Sequence, residues 1–255
     1  MTIQLTEAEE RARQRVCLAV DVPTLDEALA LVDDVHPYIG FAKIGKQLHT
    51  AAGIEGRNVI GEIRAAMGQE EPSIFLDLKL HDTPNTVYQA AKAAAVPGVY
   101  MMDVHIAGGE EMCKAALRGV EDGARGYGIP TPKVIGVTVL TSLDSKDLWR
   151  QNISFLYDEQ VATMAELAQR WGLDGIVCPA NKAGAMEREF GSWLYTTPGV
   201  KFDGNEGTGQ KQLYTPALAV QDCASSILVV GSAITKAKDK PGTGYRILQS
   251  MAPHV

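Results

Sequence analysis

Eight short apolar runs alternate with amphipathic segments along the 255 residues, and few folds accommodate that alternation. The runs are Val16–Val20, Phe41–Gly45, Phe75–Leu80, Val99–Val104, Lys133–Val139, Gly175–Cys178, Trp193–Thr197 and Ser226–Val230. Short near-continuous apolar runs suit strands buried on both faces, and parallel strands need a crossover connection, usually a helix. The segments between them carry apolar residues at helical spacing. Helices are expected over Leu25–Val35 with Thr24 as N-cap, then through Ile60 and Met67, over Val87–Val96, and from Glu110 to about Gly119. Further helices are expected over Tyr157–Trp171, Ala180–Glu189 and Ile234–Met251. Eight βα units in a chain of this length predict an α/β fold, a (β/α)₈ barrel. No composition shift or linker divides the chain, so a single domain is expected. Two long loops, Ser142–Ser154 and the glycine-rich Pro198–Tyr214, should lie on one barrel face.

The third run departs from the others. Within Phe75-Leu76-Asp77-Leu78-Lys79-Leu80 two opposite charges interrupt an apolar strand at a spacing of two. Side chains alternate faces along a strand, so Asp77 and Lys79 are expected on the same side. Asp82 follows at the strand's end, and Pro84 stands where a helix first turn tolerates a missing N–H. A buried ion pair bracing a strand is the plainer explanation. Three charges about one strand terminus favour a site, because buried charges are costly unless paired.

A net charge of −7 and the lack of any Lys/Arg-rich run argue against nucleic-acid binding. No apolar run is long enough to span a membrane, and the N-terminus lacks a signal-peptide pattern, so a cytoplasmic enzyme is expected. Cys17, Cys113, Cys178 and Cys223 are widely spaced and suit small buried thiols better than a zinc site or a disulfide framework.

In a barrel, the carboxyl ends of the strands build the active site. Those ends carry Asp21, Lys43, Asp77 with Lys79, Asp103 with His105, Thr141, Pro179, Pro198 with Gly199, and Gly231 with Ser232. Lysines and carboxylates converging there form an alternating network, each adjacent pair worth roughly 4 kcal/mol at about 4 Å before desolvation. Such pairing keeps the carboxylates ionised and the lysines protonated, a preorganised field holding a proton donor. His105 suits a structural hydrogen bond as well as a catalytic one, and His81 has no companions that would make a metal site. Gly231 before a helix is where barrel enzymes hold a phosphate on backbone N–H groups.

Asp77-x-Lys79-x-x-Asp82-Thr83-Pro84-x-Thr86 resembles the signature motif of the orotidine 5′-phosphate decarboxylase family. The resemblance extends through Leu18–Asp21, Lys43–Gly45, Val104-His105 with Gly108-Gly109, Val137–Ser142, Thr197–Val200, Gly209-Gln210 and Val229–Thr235. Residues 1–12 fall outside it as an N-terminal extension, leaving 13–255 as the barrel. It implies conversion of orotidine 5′-monophosphate to uridine 5′-monophosphate and carbon dioxide with no metal or organic cofactor, in a homodimer with shared active sites. It implies Lys79 as proton donor, Asp77 beside the departing carboxylate, and Lys43 holding the network and the ribose. Asp82 with Thr86 would complete the partner's site, and Thr83 stands beside them in the motif. Asp21 would bind ribose hydroxyls and Thr141 the pyrimidine edge. Pro198 and Lys201 would lie on the substrate loop, and Gln210, Gly231 and Ser232 at the phosphate.

Three positions depart from the family pattern. Ser232 stands where an arginine usually clamps the phosphate, Lys201 where bacterial members commonly have arginine, and Thr83 where isoleucine is usual. Two alternatives follow. One is a sugar-phosphate decarboxylase or aldolase of the same superfamily, although such relatives carry Glu in place of Asp77 and bind magnesium. The other is a barrel with impaired phosphate binding because of Ser232.

Overall fold

The computed structural model describes residues 4–200, 202, 214–223 and 226–255. Eight parallel strands close into a barrel in sequence order: β1 (Val16–Ala19), β2 (Phe41–Gly45), β3 (Ile74–Leu80), β4 (Val99–His105), β5 (Lys133–Val137), β6 (Gly175–Val177), β7 (Leu194–Pro198) and β8 (Ser226–Val230). Closure comes from β1 pairing with β8, with Cys17 opposite Val229. The expected (β/α)₈ barrel is therefore the fold.

Strand periodicity sorts the apolar residues into two cores. Cys17, Ala19, Phe75, Met101, Ile135, Ile227 and Val229 form one cluster, filling the barrel lumen. Their neighbours along the strands, including Leu18, Ala42, Ile44, Leu76, Met102 and Val104, pack outward in the larger core beneath the helices. Truncating Phe75, 2% exposed, to alanine would cost about 3–5 kcal/mol. All four cysteines are buried and none is in a disulfide.

Several helix boundaries differ from the sequence-based expectation, each for a local reason. The helix expected through Ile60 and Met67 is two helices, Lys46–Ile54 and Val59–Met67. Gly56 at φ 72° turns the chain between them, and the Asn58 side chain caps the second. The last helix is also divided, into Ser232–Thr235 and Lys240–Met251, the second capped by Asp239 with a proline in its first turn. The Ser142–Ser154 loop contains a helix, Ser145–Arg150, started by a capping box between Asp144 and Asp147. Near the N-terminus, Thr6 and Glu9 form a capping box that starts the helix Glu7–Arg13, whose Ala12 is fully buried.

The helix Glu110–Tyr127 runs a further two turns beyond the expected end at Gly119. Its glycines serve packing instead of termination. A Cβ on Gly119 would meet the Tyr88 carbonyl oxygen at 2.5 Å, and one on Gly123 would collide with the Lys92 carbonyl oxygen. The helix Pro84–Ala94 thus lies backbone to backbone against it.

Candidate active site

The charged residues converge at the carboxyl ends of β1 to β4. Lys43 projects from β2 and places Nζ 3.1 Å from Asp21 Oδ1 and 2.9 Å from Asp77 Oδ2. Asp77 uses its other oxygen, Oδ1, to accept from Lys79 Nζ. Lys79 Nζ also lies 3.6 Å from Asp103 Oδ2. The side chains of Lys43 and Asp77 are each 10% exposed, so the pair is well removed from water, whereas Asp21 at the edge is open.

Burial alone would raise the Asp77 carboxyl, but Lys43, Asp103 and Lys79 outweigh it and hold the group down at about 2. For Lys43, burial pulls the ammonium down, while Asp77 and Asp21 pull harder and leave it above its ordinary value. At neutral pH this part of the network is an ionised carboxylate gripped by two ammonium groups. Asp103 is the opposite case. Its complete burial, and then the negative charge of Asp77, push it well above the ordinary carboxyl value. His105 is pushed down to about 4 by burial and by the cations around it, with the His81 ring 5.3 Å away. Its imidazole is neutral.

The chain reaches this arrangement through a distortion. β3 pairs with β4 in regular register at Leu76 and again at Leu80, with a register shift between them. Within that bulge Lys79 adopts φ 46°, left-handed backbone that a non-glycine residue rarely occupies. Simple alternation along the strand was the reason for expecting Asp77 and Lys79 on one side. They do pair, but across a bulge where strict alternation does not hold.

Lys43, Asp77, Lys79 and Asp103 line a cavity of about 160 Å³ together with Thr141, Pro198 and apolar residues of β5 to β8. A wider groove of about 950 Å³ lies at the opposite pole, lined by Arg13, Arg15, Tyr100 and Lys133 among others. Only the smaller cavity combines buried ion pairs with strand carboxyl ends, and chemistry decides between the two. Among the described residues, no group of three or more His, Cys, Asp or Glu side chains is placed to hold a metal ion.

The remaining expected residues lie outside that cluster. Asp82, Thr83 and Thr86 are exposed at the start of the helix Pro84–Ala94. Asp82 Oδ1 accepts from the Thr83 N–H at 2.6 Å, and the Thr83 and Thr86 hydroxyls are 3.0 Å apart. Gly231 and Ser232 follow β8, with Ser232 exposed at the start of its short helix. Lys201 and Gln210 lie outside the described residues. Asp103, named in the sequence only as a charged strand end, joins the network by direct contact.

Comparison with known proteins agrees with this geometry. The family profile "Orotidine 5′-phosphate decarboxylase / HUMPS family" matches residues 14–247. The orotidine 5′-phosphate decarboxylase of Pseudomonas fluorescens (strain Pf-5) is 41% identical over 224 residues, covering 88% of this chain and 91% of that one. The enzyme of the same name from Neisseria meningitidis serogroup A is 40% identical over 229 residues, covering 89% and 88%. Among solved structures, orotidine 5′-phosphate decarboxylase from Lactobacillus acidophilus superposes with a TM-score of 0.78 at 34% identity, covering 92% of this chain and 98% of the other. With the profile matched along nearly the whole barrel and relatives this similar over most of their length, the chain belongs to the orotidine 5′-phosphate decarboxylase / HUMPS family.

Proposed function

We propose that this enzyme decarboxylates orotidine 5′-monophosphate to uridine 5′-monophosphate, as a step of pyrimidine biosynthesis, with Lys79 as the proton donor and without metal or organic cofactor. The observation that carries this reading is the Lys43–Asp77–Lys79 run, one ionised carboxylate held by two ammonium groups at the floor of the barrel cavity. Breaking the bond between the pyrimidine carbon and its carboxylate leaves an electron pair on that carbon as carbon dioxide departs. The Lys79 ammonium stabilises the developing negative charge and then gives that carbon a proton. The neutral amine regains a proton from solvent. An interaction accelerates a step only when it is stronger in the transition state than in the ground state, and the ammonium meets that condition. Asp77 keeps Lys43 protonated and holds both lysines in line. A carboxylate already engaged by two ammonium groups is a poor magnesium ligand, which favours this reading over a metal-dependent relative.

The proposal includes a cytoplasmic homodimer in which Asp82 and Thr86 of one subunit complete the site of the other. Their exposure beyond the strand end, outside their own subunit's network, supports that role. Asp21 serves the ribose hydroxyls, Thr141 the pyrimidine edge, and Gln210 with Gly231 and Ser232 the phosphate. Ser232 offers a neutral hydroxyl where an arginine would offer a charge, so phosphate is held less tightly.

The test is carbon dioxide release from orotidine 5′-monophosphate by the purified protein, with and without EDTA. Equal release in both is expected. No release overturns the assigned substrate, and release abolished by EDTA overturns the cofactor-free mechanism.

A further inference from the structure

Asp103 has no task in the chemistry above, yet it is the most deeply buried ionisable side chain in the site, 0% exposed on β4. Its Oδ1 accepts from the backbone N–H of Lys79 at 2.7 Å. That N–H belongs to the bulge, where the register between β3 and β4 is broken and Lys79 turns left-handed. A left-handed conformation at a lysine persists only when surrounding structure imposes it. A backbone N–H displaced from the ladder needs another acceptor, and Asp103 supplies it. Its second oxygen, Oδ2, is buried 3.6 Å from Lys79 Nζ.

We propose that Asp103 is a positioning residue, which holds the Lys79 backbone in its left-handed turn and so aims the Lys79 ammonium at Asp77 and the reacting carbon. The inference rests on Lys79 being the proton donor. The groups facing Asp103 are Asp77 and Lys79 on β3, Lys43 beyond them on β2, and His105 on its own strand. Its partner on β5 is the apolar Ile135. Burial and the neighbouring Asp77 charge favour the protonated carboxyl here, and its useful atom is the acceptor Oδ1. Asparagine preserves that acceptor at the same reach and is also neutral. Valine preserves the volume and removes the acceptor.

Asp103→Val should lower kcat about 100-fold with little change in KM, because a donor misplaced by about 1 Å loses the reaction while substrate binding persists. Asp103→Asn should retain the turnover that Asp103→Val loses, with a pH profile like that of the unaltered protein. A second measurement keeps the test decisive if Asp103→Val does not fold. Hydrogen exchange at the Lys79 amide, assigned with selectively ¹⁵N-lysine-labelled protein, should be slow in both the unaltered protein and Asp103→Asn. The inference fails if folded Asp103→Val keeps full kcat, if Asp103→Asn falls as far as Asp103→Val, or if the Lys79 amide exchanges like an exposed one. Lys79→Ala separates the two levels. Activity surviving in Lys79→Ala sinks the proton-donor reading itself. An inactive Lys79→Ala beside a fully active Asp103→Val sinks only the role of Asp103.

Discussion

The two halves of the barrel's carboxyl end differ in kind. β1 to β4 deliver Asp21, Lys43, Asp77, Lys79 and Asp103, a chain of ionisable groups in mutual contact. β5 to β8 end in Val137, Val177, Cys178, Thr196, Pro198, Val229, Gly231 and Ser232, apolar or neutral throughout. The charged half is preorganised, because every charge is held by a neighbour in the same subunit before substrate arrives. The described strand ends of the neutral half are shaped for contact and offer an anion dipoles in place of charges. On the proposed reading the proton donor and the phosphate contacts lie on different strands, so they can be perturbed separately.

The largest effect should come from the charged half. Lys79→Ala should reduce turnover by about 10³-fold, within the range for loss of a general acid, while circular dichroism and melting show an intact fold. Near-full activity would erase the distinction between the halves. In the neutral half, Ser232→Arg should lower the KM for orotidine 5′-monophosphate by about tenfold, the difference between a neutral and a charge-assisted bond. Turnover of the phosphate-free nucleoside should not change. Equal gains for both substrates would mean that residue 232 does not face the phosphate.

A smaller signal tests whether the charged half is complete within one subunit. Mixing inactive Lys79→Ala and Asp82→Ala chains should restore roughly a quarter of full activity, since random exchange makes half the dimers mixed and each has one intact site. No recovery after verified exchange would confine the site to one chain. The smallest effect concerns pH. The folded chain keeps a proton on Asp103 that the unfolded chain releases above the ordinary value of 3.8, so this group lowers stability as pH rises past that point. Asp77 has the reverse sign, its stabilisation being lost as pH falls from 3.8 toward about 2. Asp103→Asn should therefore raise the Tm more near neutral pH than at about pH 4. A pH-independent difference would mean that Asp103 titrates normally.

Much of this was legible in the sequence because strand burial leaves a plain record. The eight apolar runs became eight strands, every end within two residues of the expected one. The site was legible where charge interrupts such a run, as at Asp77 and Lys79. What the sequence hid has physical causes. A lysine carries no mark of a left-handed backbone, so the bulge could not be foreseen from side-chain types. Asp103 was visible as a charged strand end, but its bond to another strand's backbone depends on register. The capping boxes at Thr6 with Glu9 and at Asp144 with Asp147 were present in the letters and would have revealed the helices Glu7–Arg13 and Ser145–Arg150. Gly119 misled in the other direction, since a glycine at a tight crossing and one at a helix end look alike in sequence.

The crossing at Gly119 and Gly123 extends the site's reach into ordinary-looking surface. The helix Pro84–Ala94 carries Asp82 and Thr86 at its leading end, and its seat is the bare backbone of the helix Glu110–Tyr127. Besides backbone, only the small methyls of Ala91 and Ala95 border the two glycines, so the crossing has little that can yield and the pair behaves as a rigid strut. A single methyl group at position 123 would have to push the strut outward, carrying Asp82 away from any partner site it serves. Intolerance to substitution should thus appear at a residue with no chemistry of its own, far from the cavity, and its first symptom should be poor communication between subunits.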